Sequence, residues 1–143
     1  MLSTLFSNPL LFIVWALGLV LAISVHEYAH AVAADRLGDP TPRSQGRLTL
    51  DPRSHLDPLG TLALLFLGFG WGKPVMFDPY NLRNPRRDGA LIAISGPLSN
   101  LLFATVLAMI MRFVTLDILY SVFSVLVMMN ITLAIFNLVP IFP

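Results

Sequence analysis

The stretch PLLFIVWALGLVLAISVHEYAHAVAA, Pro9 to Ala34, decides how the rest of the chain is read. Proline at its first position suits a helix N-terminus, where the missing N–H has no partner to lose. From there to Ile23 apolar residues occupy every face, so no polar side exists to turn toward water. At about 1.5 Å per residue such a run spans a hydrocarbon core of about 30 Å. Ser24, His26, Glu27 and His30 then stand on the same cylinder. The run has no basic leader, is too long for a secretory signal, and ends in His and Glu where small cleavage-site residues would sit. It is expected to be retained as a first membrane span, closed near Leu37-Gly38.

Composition agrees with that reading. The chain has 143 residues, of which 56% are hydrophobic and 12% charged, far from the balance of a soluble domain. A net charge of +1 without a Lys/Arg run sets nucleic-acid binding aside. There is no cysteine, so any metal must be held by His, Asp or Glu.

Outward from the first span the character changes. Residues 38–57 carry Pro40, Pro42 and Pro52 around the alternating Arg47-Leu48-Thr49-Leu50, which reads as a loop with a short strand. Residues 58–71 are apolar but reach only about 21 Å as a helix, short of a crossing, and read as a re-entrant segment. Residues 73–88 form a second polar loop with Lys73, Arg83, Arg86 and Arg87. Further spans are expected at about 89–113 and 117–138, the last stopped by Pro140 and Pro143. The architecture expected is therefore a single-domain polytopic α-helical membrane protein: three transmembrane helices, a re-entrant segment and a small cytoplasmic β element. Every Lys and Arg except Arg112 lies between residues 36 and 87. The positive-inside rule then puts both loops in the cytoplasm and the amino terminus outside. A full crossing by 58–71 would split those basic residues four against four, which the rule disfavours.

His26-Glu27-Tyr28-Ala29-His30 is an HExxH sequence on a helix. A spacing of four puts both imidazoles on one face, where they can chelate one Zn²⁺, and Glu27 can reach a water beside the metal. In metalloproteases zinc acidifies that water and polarises the scissile carbonyl, while the glutamate takes the proton and later returns it to the leaving amine. Glu27 is the chain's one glutamate. Three polar groups on one turn inside lipid call for a compensating partner, which a metal supplies. Two histidines leave the set incomplete, because catalytic zinc usually takes three protein ligands and a water.

The motifs HEYAH, GRLTLDP, HLDPLG, GWGKPV, DPYNLRNPRRD, SGPLSN and FNLVPIFP follow one another along the chain. In that order they resemble the site-2 protease family of intramembrane zinc metalloproteases in its compact prokaryotic form, over nearly the whole chain. The resemblance implies one Zn²⁺ per chain on His26 and His30, with Glu27 as the catalytic base. It implies a protease in a prokaryotic cell membrane that cuts a transmembrane helix of another protein, typically releasing a cytoplasmic fragment. In the family the segment resembling Asn137 to Pro143 leads into Leu-Asp-Gly, whose Asp is the third zinc ligand; the chain is expected to be a form truncated before that motif. Within the chain, His55 and Asp57 are the substitute ligands to test, in a setting that reads equally well as a helix N-terminal turn.

Two readings of Asn100 stand side by side, about 15 Å into the second span. Its amide serves the oxyanion or the substrate backbone, as the resemblance suggests, or it bonds helix to helix. Asn130, Ser121 and Ser124 read as packing residues, and Asn137 as an amide occupied beside Pro140. Gly68-Phe69-Gly70 resembles the family element held to align an unwound substrate as an added strand, and reads otherwise as a plain turn. The loop arginines are anchors to anionic lipid headgroups. Two rival functions remain: a non-catalytic or truncated relative that binds membrane helices uncut, and a metal transporter. The latter calls for polar residues at one depth on several spans.

Overall fold

The computed structural model describes residues 6–67 and 70–139. Helix α1 runs from Pro9 to Arg36. Asn8 caps it, its side-chain oxygen accepting the Leu11 N–H at 3.1 Å. It ends where Gly38, at φ 108°, takes the left-handed turn open to glycine. A one-turn helix α2 (Thr41–Ser44), a 3₁₀ turn at Pro52–Ser54 and the ten-residue helix α3 (Pro58–Leu67) follow. After the extended stretch from residue 70 and a 3₁₀ turn at Pro79–Asn81 come α4 (Pro85–Met111) and α5 (Asp117–Leu138). Helices α1, α4 and α5 are each long and apolar enough to cross a membrane, and the chain is a helical membrane protein.

The three long helices pack on one another, α4 most extensively against α5 and α1. Their shared interior is built from small and polar residues: Gly18, Ala22, Ala31, Gly96, Asn100, Ala104, Asn130 and Ala134 are buried. Large side chains such as Leu17, Leu98, Leu102 and Ile118 face outward. Lipid tails are as apolar as leucine, so close backbone approach and hydrogen bonds drive the association of such helices. A Cβ at Gly18 would lie 2.6 Å from Leu126 Cδ2, which is how near α5 comes to α1.

Three expectations change. The second span begins at Pro85, four residues ahead of the expected start, with Pro85 as its first helical residue and the Asp88 carboxylate accepting the Asn84 N–H at 3.0 Å. Arg86 and Arg87 belong to its first turn, and the helix closes at Met111 instead of residue 113. No strand forms at Arg47–Leu50, and among the described residues the only β pairing is an isolated antiparallel bridge between Leu56 and Gly72. The groups a ladder would use are tied inside the loop: the Arg47 N–H to Pro42 O, the Thr49 hydroxyl to the Asp51 N–H, and Thr49 O to His55 Nε2. The expected re-entrant stretch 58–71 is helical only to Leu67, about 15 Å long. Gly68, Phe69 and the prolines at 140 and 143 lie outside the described residues.

Candidate functional site

His26 and His30, one turn apart on α1, meet edge to face, their ring centroids 4.6 Å apart. Each Nδ1 is bound to an oxygen of α4: His26 to Asn100 Oδ1 at 2.6 Å and His30 to the Ile92 carbonyl at 2.7 Å. A carbonyl only accepts, so Nδ1 of His30 carries a proton. The Asn100 amide is oriented by its nitrogen, which donates to Ala22 O at 3.0 Å and to Asn130 Oδ1 at 2.8 Å. Its oxygen therefore faces His26, whose Nδ1 also carries a proton. Both Nε2 atoms are left as lone pairs, and they face each other at 3.0 Å. Two lone pairs that close repel unless a positive charge, a proton or a metal ion, stands against them both.

The surroundings fit a metal ion. Zn–N bonds of about 2.0–2.1 Å at a tetrahedral angle set two nitrogens about 3.3 Å apart, near the separation seen. Ligating histidines characteristically give their second N–H to a carbonyl or carboxylate, as both do here. The pair also rests on Gly96: a Cβ there would lie 2.6 Å from His26 Nε2 and from His30 Cε1, and closer still to His30 Nε2. Among the described residues no third His, Cys, Asp or Glu joins the two histidines.

Glu27 faces the extended stretch that follows Gly70. Its Oε2 accepts the Val75 N–H at 2.9 Å. Arg47, almost fully buried, reaches the same stretch by donating Nη2 to Lys73 O. Burial pushes the Arg47 guanidinium down from its ordinary value, and the nearby Glu27 carboxylate pushes it back up. Glu27 and His26 share the wall of a cavity of about 840 Å³, which Trp15, Gly72, Met129, Phe136 and Asn137 also line. The cavity lies between α1, α5 and the extended stretch 70–74. Gly72 is needed at this crossing, since a Cβ there would lie 2.7 Å from Ile23 Cγ2 and 3.0 Å from His55 O.

His26 and His30 thus meet on α1, Glu27 shares a cavity wall with His26, and Asn100 touches the His26 ring. Its amide N–H groups are spent on Ala22 and Asn130 and the side chain is fully buried. It has no donor left for an oxyanion and touches the imidazole instead. His55 and Asp57 do not join the pair: His55 Nε2 binds Thr49 O at 2.6 Å, and Asp57 caps α3 through the Gly60 N–H at 2.8 Å. Of the Gly68-Phe69-Gly70 stretch only Gly70 is described; it lines the cavity and packs on α3, where an added Cβ would meet Leu64 Cβ at 2.7 Å. The residue the sequence reading undervalues is Asn130, fully buried and bonded to Asn100. Its one sequence signal is an amide in the middle of an apolar span.

Three membrane-length helices thus close on an HExxH turn, with both imidazoles held from behind and a carboxylate on a neighbouring cavity: a helical membrane protein with a candidate metal site. The comparisons bear on what kind. "Putative zinc metalloprotease YwhC" of Bacillus subtilis is 38% identical over 135 residues, which is 87% of this chain and 62% of that protein. "Putative zinc metalloprotease Rip2" of Mycobacterium tuberculosis is 31% identical over 139 residues, 91% of this chain and 53% of that protein. Its counterpart in Mycolicibacterium smegmatis is 28% identical over the same length. Over most of its length the chain is thus similar to proteins named as putative zinc metalloproteases, which supports its resemblance to the site-2 protease family. It spans a little over half the length of the curated relatives it matches. No family model and no solved structure matches it.

Proposed function

We propose that the chain is the core of a zinc endopeptidase that cuts transmembrane segments of other membrane proteins. The observation that carries the reading is the convergence of the two Nε2 lone pairs at 3.0 Å, one residue from a carboxylate on an apolar cavity. His26 and His30 hold the ion. When bound, zinc acidifies water and polarises a carbonyl.

The remaining work falls to the chain's own groups. Glu27, fixed through Oε2 by Val75, receives a proton from the attacking water and delivers it to the departing amine. The cavity between α1 and α5 accepts the substrate as an unwound, extended segment, and the edge of the stretch 70–74 holds it by main-chain hydrogen bonds. Helix α3 dips into the bilayer without crossing it. The basic loops face the cytoplasm, with Arg83, Arg86 and Arg87 on anionic headgroups, and the amino terminus lies outside.

Zinc per chain, measured by elemental analysis of detergent-purified protein beside a His30→Ala control, tests the metal. Cleavage of single-span helices in proteoliposomes, native protein against Glu27→Gln, tests the chemistry. The expected result is zinc in the native and Glu27→Gln proteins, none in the control, and cutting by the native protein alone. Equal zinc in the native protein and the control, or cutting by Glu27→Gln, refutes the reading.

A further inference from the structure

We infer that Asn100 and Asn130 are positioning residues that set the tautomer of His26, forming a two-amide relay from α5 through α4 to α1 that keeps the proton on Nδ1 and leaves Nε2 as the lone pair of the site. The consequence for zinc rests on the function proposed above; the relay itself rests on the hydrogen bonds alone.

The direction of the relay is set at its far end. Leu126 O accepts, so the Asn130 nitrogen, 2.9 Å away, must be the atom that faces it. Asn130 Oδ1 therefore faces Asn100 and accepts from its nitrogen at 2.8 Å. The second hydrogen of that nitrogen goes to Ala22 O at 3.0 Å, the carbonyl one turn before His26 on α1. Asn100 Oδ1 is then the atom 2.6 Å from His26 Nδ1, and it demands a hydrogen there. Turning the Asn100 amide over would set its oxygen against two other oxygens, Ala22 O and Asn130 Oδ1. Both asparagines are fully buried, so no solvent water relieves such a contact.

The two histidines are fixed by unlike means. His30 answers to a main-chain carbonyl, Ile92 O, which no substitution removes. His26 answers to a side chain whose orientation is itself decided on a third helix. Bundle packing and imidazole chemistry are therefore coupled at one ligand only, and through it α5 acts on a histidine of α1 that it does not bond directly. This role differs from helix-to-helix adhesion, because adhesion is indifferent to which imidazole nitrogen holds the proton.

The test is made on the chain labelled with ¹⁵N-histidine, in detergent, stripped of metal with a chelator. Imidazole nitrogen shifts, assigned by single-histidine substitutions, report which nitrogen of His26 is protonated. Nδ1 is expected in the native protein. Asn100→Leu is expected to move the His26 proton to Nε2, and Asn130→Leu to give a mixture of both forms. Zinc affinity, read by competition with a chromogenic chelator, should fall about ten- to a hundredfold in Asn100→Leu. A native His26 without a proton on Nδ1 overturns the inference, as does Asn100→Leu with native tautomer and affinity. Should Asn100→Leu fail to fold, Asn130→Leu decides the matter, and an unmixed Nδ1 form in it refutes the relay. If the native protein takes up no zinc, the proposed function fails while the tautomer measurement still judges the relay.

Discussion

Replacing Gly96 by alanine tests the site where its tolerance is least. The new Cβ would lie 2.6 Å from His26 Nε2, about 0.8 Å inside the 3.4 Å at which ordinary contact begins, and would press harder still on His30 Nε2. Neither ring can back away freely, because each is held from behind by its Nδ1 bond at 2.6 or 2.7 Å. Overpacking of this kind typically destabilises by about 1–3 kcal/mol, and loss of one buried hydrogen bond adds about 1 kcal/mol. The better helix propensity of alanine offsets about 0.5–1 kcal/mol. A net penalty of about 1.5–3 kcal/mol, felt where both imidazoles must meet an ion, corresponds to about a ten- to hundredfold loss of zinc affinity. Chelator competition on the detergent-purified protein measures it. Gly89→Ala, on the same helix, is the control, since its Cβ would find nothing nearer than Phe77 at 3.9 Å; it should bind zinc normally and unfold at a slightly higher temperature. A Gly96→Ala protein that binds zinc within threefold of native refutes the packing argument.

Three further outcomes are expected. Asp39, fully buried, accepts from the Thr41 N–H and hydroxyl, Asn81 Nδ2 and the Asp78 N–H. Burial raises its pKa, but these bonds together outweigh it and hold the carboxyl below its ordinary value. A depressed folded value means stability fully present above the ordinary carboxylate range and lost as pH falls through the lowered one; protection of the Thr41 and Asp78 amides, taken relative to their intrinsic exchange, should fall only in that acid window, and protection unchanged there refutes the role. Gly60→Ala would drive a Cβ into the Trp71 carbonyl group, 3.0 Å from its carbon and nearer to its oxygen, so the protein should unfold at a lower temperature; an unchanged unfolding temperature excludes the crossing of α3 with the cavity wall. Arg47→Leu removes the bond to Lys73 O and, with it, a buried Nε that has no partner, so stability should change little. The stretch carrying Val75 is loosened, and turnover should drop with zinc binding intact; unchanged turnover shows that Arg47 does not hold that stretch for Glu27.

How far the sequence could be read follows from how local each feature is. HExxH is legible because a spacing of four on one helix brings two side chains together whatever else the chain does. The third span lies at Asp117–Leu138 as its apolar run indicates, and the first overruns its expected end by only two residues. The start of α4 was available in Asn84-Pro85, but the arginines that follow read as loop; in the fold they extend a membrane helix past its apolar part and project from its first turn. The alternation at Arg47–Leu50 has the period of a strand and no partner strand. Without a ladder its polar groups close turns instead.

The Asn100–Asn130 pair shows a limit of another kind. Pairing across helices depends on how each is rotated about its axis, and a helix that is apolar all round carries little in its pattern to fix that rotation. The buried amides supply what the apolar surface cannot: the Asn100–Asn130 bond forms only where α4 and α5 turn these two residues toward each other, and in that arrangement Gly96 lies under the histidines. Lipid makes that selection strict, because a polar group turned outward finds no water to bond. In this chain the hydrogen bonds that join the three helices through their buried amides are therefore the ones that aim the His26 imidazole, and the geometry at that ligand follows from the condition that lets three apolar helices assemble in one register.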